Sequence, residues 1–377
     1  MSAPTAASAA TQGDVVVLGR AAPSVVNAVE QAAHAARLRA RVEVDVRGAA
    51  ARLLAGGRHP LAVVCDATST EGRDACLAIR HEPQLANVPI MALIDGFNDL
   101  AFEELYEWGG DDLVPRGDAA ALARRLRQVA TNAVPLARRA GTAVVADPDR
   151  RTRLLTGRAL RNTGLSVLFA VDAAEALREA ARPELVVVVQ ATDLDPPQGP
   201  TLAEQARNAG IATPWVITSP PRRAAQGRAR IASLPKVTVH DAFGAPENVL
   251  FVINELVRGG VAEGRASKRL LYGTTLLFRH AGGEKDEAGF TFNISAGGLF
   301  ARTLAPPSRN AELWLELRPP RSDRRVRLEG RVVWARAFGP NDAATVPAGF
   351  AVQFAETAPA DLQRFRDGYG AFAAEVS

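Results

Sequence analysis

The pattern of apolar segments changes once along the chain, and this change limits the fold more than any other feature. Up to about residue 258, short apolar runs alternate with segments of helical spacing, an order that predicts parallel sheets covered by helices on both faces. From about Gly264, apolar and polar residues alternate singly, with glycine and proline between the runs, which is typical of an antiparallel barrel. The sequence therefore predicts an α/β part followed by an all-β part.

The α/β pattern occurs twice, at 13–133 and 141–258, and the segment Pro135–Gly141 is predicted to link the two units. Each unit is predicted to be a doubly wound, flavodoxin-like domain. In the first unit the predicted strands are Val15–Leu18, Leu61–Val64, Ile90–Ile94 and Asp112–Val114, and the predicted helices are Val25–Leu38, Asp74–Arg80, Leu100–Trp108 and Ala119–Val129. In the second unit the first predicted strand and the residues that leave it span Thr142–Asp149. The other predicted strands are Ser166–Ala170, Leu185–Val189, Trp215–Thr218 and Val237–Val239, and the predicted helices are Thr152–Asn162, Ala173–Ala181, Thr201–Ala209 and Pro246–Arg258.

The all-β part, 263–377, is predicted to be a six-stranded antiparallel barrel followed by an amphipathic helix, Ala360–Phe372. Trp334 and Phe354 are predicted core residues. The predicted strands are Thr275–Phe278, Gly289–Phe292, Leu299–Arg302, Glu312–Leu317, Arg325–Arg336 and Gly349–Phe354.

Composition narrows the functional classes. Hydrophobic residues make up 47% of the 377 residues and charged residues 23%, which favours folded domains, and no apolar run is long enough for membrane insertion. Residues 1–12 lack the basic start and apolar core of a signal peptide and are predicted to be disordered, so we expect a cytoplasmic protein. The two cysteines, Cys65 and Cys76, suggest neither a metal site nor a disulfide framework. A net charge of only +4 does not argue for nucleic acid as a partner.

Both α/β units resemble response-regulator receiver domains. The second unit shows the resemblance in VVADPDRRTRLLTGRALRNTG, VDAAEALREA and PELVVVV, and the first in AVVCDATSTEG, NVPIMALIDG and WGGDDLVPRGD. The resemblance implies acidic residues after the first strand that hold magnesium, an aspartate after the third strand that accepts phosphate, and a lysine after the fifth strand.

The first unit departs from that set. Its first strand ends in Gly19-Arg20, with no carboxylate to hold a metal. Asp66 stands at the acceptor position, but Pro115-Arg116 follows the fifth strand where the lysine belongs. Asp66 is therefore a candidate phosphate acceptor in an incomplete site.

The second unit is also incomplete. Asp147 and Asp149 stand where metal ligands belong, but the third strand runs into Gln190, which cannot be phosphorylated. Asp193 and Asp195 follow out of register, and His240-Asp241 replaces the lysine. The simpler interpretation, which we prefer, is that Asp66, Asp147 and Asp149 cap helices or lie in solvated loops. Both units are then protein-interaction scaffolds.

Two motifs in the last part resemble the signature of PilZ domains. The segment Arg265–Arg269 gives RxxxR, and Asn293–Gly298 gives NxSxxG, with first residues 28 apart. The flanking segments GGLFARTLAPP, GRVVWAR and GFAVQF fit the same family across 263–377. Taken alone, RxxxR is common in an arginine-rich chain, and NISAGG is an ordinary hairpin turn.

The PilZ resemblance implies binding of cyclic di-GMP, with Arg265, Arg269, Asn293, Ser295 and Gly298 as ligand-binding residues. Arginine offers a planar fork of donors for phosphate or for the guanine edge. The amide of Asn293 donates and accepts at a guanine edge, at a position where the family often has aspartate. Ser295 donates from a tight turn, and Gly298 allows close approach to the ligand.

We therefore expect a non-enzymatic effector that binds cyclic di-GMP, needs no metal or other cofactor, and acts on a protein partner that the sequence does not identify. A homodimer formed through the receiver-like domains is left open. Two alternatives remain: an adaptor that binds only proteins, and a phosphorylation-driven response regulator with a PilZ output domain. The two PilZ motifs favour the effector over the first alternative, and the incomplete phosphorylation sites argue against the second.

Overall fold

A computed structural model describes residues 13–55, 59–66, 70–132, 141–241, 244–257, 267–339 and 345–376. The segment 1–12, predicted to be disordered, lies outside the described residues, as does Arg265. Among the described residues, no helix is long and apolar enough to cross a membrane.

The first α/β domain is a five-stranded parallel sheet in the order β2-β1-β3-β4-β5, as predicted for a flavodoxin-like fold. Its strands are β1 (Asp14–Leu18), β2 (Arg39–Glu43), β3 (Ala62–Asp66), β4 (Ile90–Ile94) and β5 (Asp112–Pro115), and its helices are α1 (Pro23–Ala35), α2 (Val46–Ala55), α3 (Thr70–His81), α4 (Asp99–Glu107) and α5 (Ala119–Asn132). The sequence analysis missed β2 and α2. It also extended α1 too far, because Arg37 adopts a left-handed backbone with φ of 59° and ends the helix.

The second α/β domain repeats this topology, in the order β10-β9-β8-β6-β7. Its strands are β6 (Thr142–Ala146), β7 (Ser166–Ala170), β8 (Leu185–Ala191), β9 (Trp215–Ser219) and β10 (Val237–Asp241), and its helices are α6 (Arg150–Arg161), α7 (Ala173–Ala180), α8 (Leu202–Asn208), α9 (Pro221–Ile231) and α10 (Asn248–Val257). A single 3₁₀ turn, Thr192–Leu194, follows β8. The analysis missed α9, which begins at a proline and contains Gly227, although a proline in the first turn is compatible with a helix.

The last part is a closed barrel of six antiparallel strands, β12 to β17, followed by a helix, as predicted. The strands are β12 (Thr275–His280), β13 (Glu287–Ser295), β14 (Gly298–Arg302), β15 (Glu312–Leu317), β16 (Val326–Arg336) and β17 (Gly349–Phe354), and the helix is α11 (Pro359–Val376). Pairing of β13 with β14 closes the barrel, and the two-residue strand β11 (Leu270–Leu271) adds to β13. Helix α11 covers one end of the barrel, where the Phe365 and Phe354 rings lie 4.9 Å apart.

The barrel is joined to the first domain through a fully buried carboxylate, Asp112, at the start of β5. Asp112 Oδ2 accepts hydrogen bonds from Arg125 Nε (2.8 Å), Thr303 Oγ1 (2.9 Å) and the Leu304 backbone N–H (2.8 Å). Arg125 Nη2 also donates to the Ala288 carbonyl of the barrel at 3.1 Å. One ion pair thus belongs to the cores of two domains at once.

A second buried cluster joins all three domains. Asp111 pairs with Arg80 of its own domain and with Arg158 of the second domain. Arg158 Nη1 lies 3.0 Å from Glu247 Oε1, and the other oxygen of Glu247 lies 3.4 Å from Nη2 of Arg302 in the barrel. All five side chains are less than one-tenth exposed, so each charge depends on the others for compensation.

We expect Asp112→Ala to lower the free energy of unfolding by about 3–5 kcal/mol, because the buried Arg125 guanidinium is left without its carboxylate. Urea unfolding of the full chain, followed by tryptophan fluorescence, measures this loss. The control is Glu30→Ala on the exposed side of α1, which we expect to change the same free energy by no more than about 0.5 kcal/mol. Equal stabilities of the two variants would contradict a structural role for the Asp112–Arg125 pair.

Candidate functional site

Four of the five predicted ligand-binding residues lie at one edge of the barrel. Asn293 and Ser295 lie at the end of β13, and Gly298 opens β14 directly opposite Ser295. Strand β11 pairs with β13 so that Leu270 lies opposite Ile294 and Leu271 opposite Asn293, and Arg269 directly precedes β11. Arg265 lies outside the described residues, so the structure does not place it. The described residues of the RxxxR and NxSxxG motifs are therefore adjacent.

A β-bulge aims Asn293 at the outer face of the barrel. Phe290 and Phe292 face the α/β domains, whereas Ile294, two residues further along, lies in the barrel core. The alternation is broken between Thr291 and Asn293, where the register of β13 against β14 shifts. Asn293 therefore follows Phe292 on the same outer face, which a regular strand would not allow.

Side chains of the entry segment and of α11 brace the turn after β13. Ser267 Oγ accepts a hydrogen bond from the Ala296 backbone N–H at 3.2 Å, and Arg366 Nε donates to the Ala296 carbonyl at 3.4 Å. Tyr369 OH donates to the Lys268 carbonyl at 2.6 Å. Ser295 Oγ donates within the turn, to the Gly298 carbonyl at 3.3 Å. The turn and the segment that carries Arg269 are thus held together before any ligand binds.

Gly298 has a structural reason to be glycine, which the sequence analysis did not see. A Cβ at Gly298 would lie 2.3 Å from the Val352 carbonyl oxygen on the neighbouring strand β17. At Gly297, by contrast, an added Cβ would have no heavy atom within 4 Å. The close approach at Gly298 therefore involves a strand of the barrel itself, and Gly297 is the more open position in the turn.

A row of aromatic rings lies on the outer face of the barrel, between the predicted site and the second domain. Phe292 lies with its ring centroid 6.3 Å from that of Phe251 on α10 and 6.2 Å from that of Phe300 on β14. The Trp334 ring is tilted against that of Phe300, with centroids 5.8 Å apart, and remains partly exposed, so its prediction as a core residue was wrong, whereas Phe354 does lie in the core. The contact of Phe251 with the barrel was not predicted, because the helical pattern of α10 indicates an apolar face but not its partner.

An open depression of about 700 Å³ lies on the neighbouring part of the barrel surface, where its lining includes Gln353, the strand partner of Gly298. It is lined by His280, Trp314, Glu329 and Arg331 among others. The Arg279 guanidinium lies 4.5 Å from the centre of the Trp314 ring on this surface. None of the predicted ligand-binding residues lines the depression.

In the first domain, Asp66 is neutralised by an arginine. Arg116 Nη2 lies 2.8 Å from Asp66 Oδ1, and Nε of the same guanidinium lies 3.1 Å from Asp95 Oδ1. At the end of β1, where receiver domains hold magnesium, the Arg20 backbone N–H donates to Glu71. The sequence interpretation of Asp66 as a helix cap or solvated residue was therefore incomplete, because Asp66 forms an ion pair across the sheet edge.

In the second domain the corresponding residues have structural partners. Asp149 caps α6 by accepting from the Thr152 backbone N–H at 2.8 Å, which lowers the pKa of Asp149. Burial raises the pKa of Asp147, whose Oδ1 accepts from the Asp149 N–H.

Gln190 stands at the position of the phosphate acceptor and is fully buried. It accepts from Trp215 Nε1 at 2.7 Å and donates to Asp195 at 2.9 Å. The position of the phosphate acceptor is thus a buried amide within a hydrogen-bond network.

At the end of β10, burial lowers the pKa of His240, which stands where receiver domains have lysine. A neutral imidazole at this position does not supply the positive charge of a lysine.

Comparisons with known proteins identify one family and several similar solved structures. A family model described as PilZ domain matches residues 263–368. A search of curated proteins gave no match. Among solved structures, the Bacillus subtilis inhibitor of motility (MotI/DgrA) is 20% identical over 29% of this chain with a TM-score of 0.25, and this chain spans about half (52%) of that protein.

Two further solved structures are similar to this chain. A putative two-component system response regulator/GGDEF domain protein is 14% identical over 65% of this chain and 98% of its own, with a TM-score of 0.31. A Francisella response-regulator receiver domain is 19% identical over 31% of this chain and 97% of its own, with a TM-score of 0.27. The fold assignment of the α/β part rests on its own strand order, described above. Residues 263–368 are therefore a PilZ domain, and two domains of flavodoxin-like fold precede it in this chain.

Proposed function

We propose that this chain is a non-enzymatic effector that binds cyclic di-GMP on the outer face of its barrel. The observation that carries the proposal is the adjacency of Arg269, Asn293 and Ser295, which come from two motifs and share one braced edge. The ligand lies between the RxxxR segment and the turn after β13, beside α10. Arg265, four residues before Arg269, supplies the second arginine.

The residues at this edge suit the chemistry of a cyclic dinucleotide. The guanidinium of Arg269 is exposed and offers paired donors to a phosphate or to the O6/N7 edge of guanine, and its planar group stacks on a purine. The Asn293 amide both donates and accepts, as a guanine edge requires. Ser295 contributes a hydroxyl that now donates only within its own turn at 3.3 Å and is able to turn toward a ligand.

The site also lies next to the second α/β domain, which suggests how binding is communicated. Phe292 directly precedes Asn293 and contacts Phe251 of α10, the last described helix before the RxxxR segment. A ligand that pins Arg269 against Asn293 therefore acts on the contact between the barrel and α10. In this proposal the receiver-like domains are scaffolds, and a protein partner recognises the changed position of the barrel against them.

Phosphorylation is a weaker candidate for the input signal. Transfer to an aspartate needs a metal ion and a free carboxylate oxygen. In the first domain Arg116 already neutralises Asp66, and in the second domain Gln190 replaces the acceptor. An adaptor that binds no nucleotide remains the alternative, and direct measurement of binding distinguishes it from an effector.

We expect cyclic di-GMP to bind the full-length protein in calorimetric titration, and Arg269→Ala and Ser295→Ala each to weaken binding. Loss of a charge-assisted contact costs about 1.5–3 kcal/mol, or roughly 10- to 150-fold in affinity. The matched control is Arg331→Ala, which removes an exposed arginine from the neighbouring depression and should leave the affinity unchanged.

No heat of binding with the wild-type protein at high micromolar ligand would rule out the effector and leave the adaptor. Wild-type affinity in Arg269→Ala, with weaker binding in Arg331→Ala, would instead move the site to the depression around Trp314.

We expect no covalent phosphate on the protein after incubation with a small phosphodonor and magnesium. Arg116 forms an ion pair with Asp66, and no carboxylate directly follows β1 to hold the metal. Intact-protein mass spectrometry measures the outcome. A mass increase of one phosphate that disappears in Asp66→Asn but persists in Asp95→Asn, at the exposed second partner of Arg116, would contradict this expectation.

We expect ligand binding to raise amide hydrogen-exchange protection across 258–270 and also in α10. The sequence places Gly259-Gly260 and Gly264 in this link, which predicts flexibility without ligand, although 258–266 lie outside the described residues. Phe251→Ala removes the ring that joins α10 to Phe292 and should confine the protection to the barrel and the link. Helix α7 serves as an internal control. Wild-type protection confined to the barrel would show that binding is not coupled to the second domain.

A further inference from the structure

The fourth helices of the two α/β domains carry opposite charge. Helix α4, DLAFEELYE, has four acidic residues and no basic residue. Helix α9, PRRAAQGRARI, has four arginines and no acidic residue. The two helices occupy equivalent places between the fourth and fifth strands of their domains. This opposition has no role in the phosphate or nucleotide chemistry considered above.

The exposed side of α4 is an acidic stripe, Leu100, Glu103, Glu104 and Glu107. These residues follow the i, i+3, i+4, i+7 spacing of one helix face and all are exposed, Leu100 by 62%. The other sides of the helix are occupied, since Phe102 and Tyr106 pack against Phe290 of the barrel, and Asp99 pairs with the barrel's Arg318.

The carboxylates of the acidic stripe repel one another. Among the described residues, none of the three glutamates of the stripe forms an ion pair. Partial burial raises the pKa of Glu103, and the neighbouring charges of Asp99 and Glu107 raise it further. Cations placed over the stripe would relieve this repulsion.

The exposed side of α9 is a basic face, Arg222, Ala225, Arg228 and Ala229. The other two arginines of α9 are engaged within the domain. Arg223 pairs with Asp193 at 2.6 Å, and Arg230 donates to the carbonyls of Pro196 and Gly199. Arg222 and Arg228 have no ion-pair partner among the described residues. Small alanine side chains between them leave room for a side chain such as Leu100.

We propose that the acidic stripe of one copy docks on the basic face of a second copy. The occupant is a second copy because each chain carries one face of each sign, at equivalent helices, and because no ion pair joins α4 to α9 within the described part of one chain. The contact uses two different surfaces, so it is head-to-tail and generates a ring or an open chain of copies. It does not depend on cyclic di-GMP.

Such a contact is weak and sensitive to salt. Exposed ion pairs are individually modest, and they are screened when the Debye length falls below the separation of the charges. Leu100 adds apolar area that the charges alone do not provide. Self-association is therefore expected at low ionic strength and high protein concentration, and it should be lost on adding salt.

Sedimentation velocity of the full-length protein tests the proposal with two charge-reversed variants. One carries Glu103→Lys and Glu104→Lys, and the other carries Arg222→Glu and Arg228→Glu. The control carries Glu30→Lys and Glu284→Lys, which change the net charge as the first variant does, but at exposed positions away from α4. All are compared at about 0.05 M and about 0.5 M NaCl, between which the Debye length falls roughly threefold.

We expect the average mass of the wild type and of the control to rise with concentration at low salt only. Each reversed variant alone should stay monomeric, because both of its faces then have the same sign. An equal mixture of the two variants should associate again, because every contact between them joins opposite charges. A wild-type protein that stays monomeric at low salt, a reversed variant that associates like the wild type, or a mixture that stays monomeric would overturn the proposal.

Discussion

Two consecutive aspartates hold the three domains together, Asp111 directly before β5 and Asp112 as its first residue. Asp112 faces the barrel and accepts from Arg125, Thr303 and the Leu304 backbone, while Asp111 faces the second domain and pairs with Arg158. Neighbouring residues in a strand point to opposite sides, so a two-residue segment binds two different partners. Because a buried charge without its partner is costly, these contacts disfavour separation of the domains.

These contacts between the domains determine which part of the barrel surface is exposed to solvent. The outer face of β13 and β14 is turned toward the α/β domains, and Phe290 and Phe292 are covered there. The bulge after Thr291 keeps Asn293 on that face, where it directly follows Phe292 and is only 5% exposed. A ligand at this edge would contact the barrel near its joint with the second domain, so the proposed binding would be coupled to the domain contact by position.

The sequence predicted the parts of the structure that depend on local pattern. The alternation of strands and helices in the two α/β domains and the six-stranded barrel follow from periodicity, whereas the grouping of Arg269 with Asn293 and Ser295 was expected from the PilZ resemblance. The pattern failed where local preference is weak, as in β2, whose RARVE segment has only two apolar residues between charged ones, and in α9, which starts at a proline. The ion pairs of Asp111, Asp112 and Asp66 were not predictable, because in so arginine-rich a chain no local signal selects Arg80, Arg125, Arg158 or Arg116 from the other arginines.

The central claim is that cyclic di-GMP binds at the edge of the barrel formed by Asn293, Ser295 and Arg269, beside α10. A crystal structure of the full-length protein with the dinucleotide tests this most directly. The account predicts a guanine at the Asn293 amide, phosphate or guanine contacts from Arg269, and ordered chain between α10 and β11. Ligand bound instead in the depression around Trp314, or a ligand at the predicted edge that leaves Asn293 and Arg269 without contact, would contradict it.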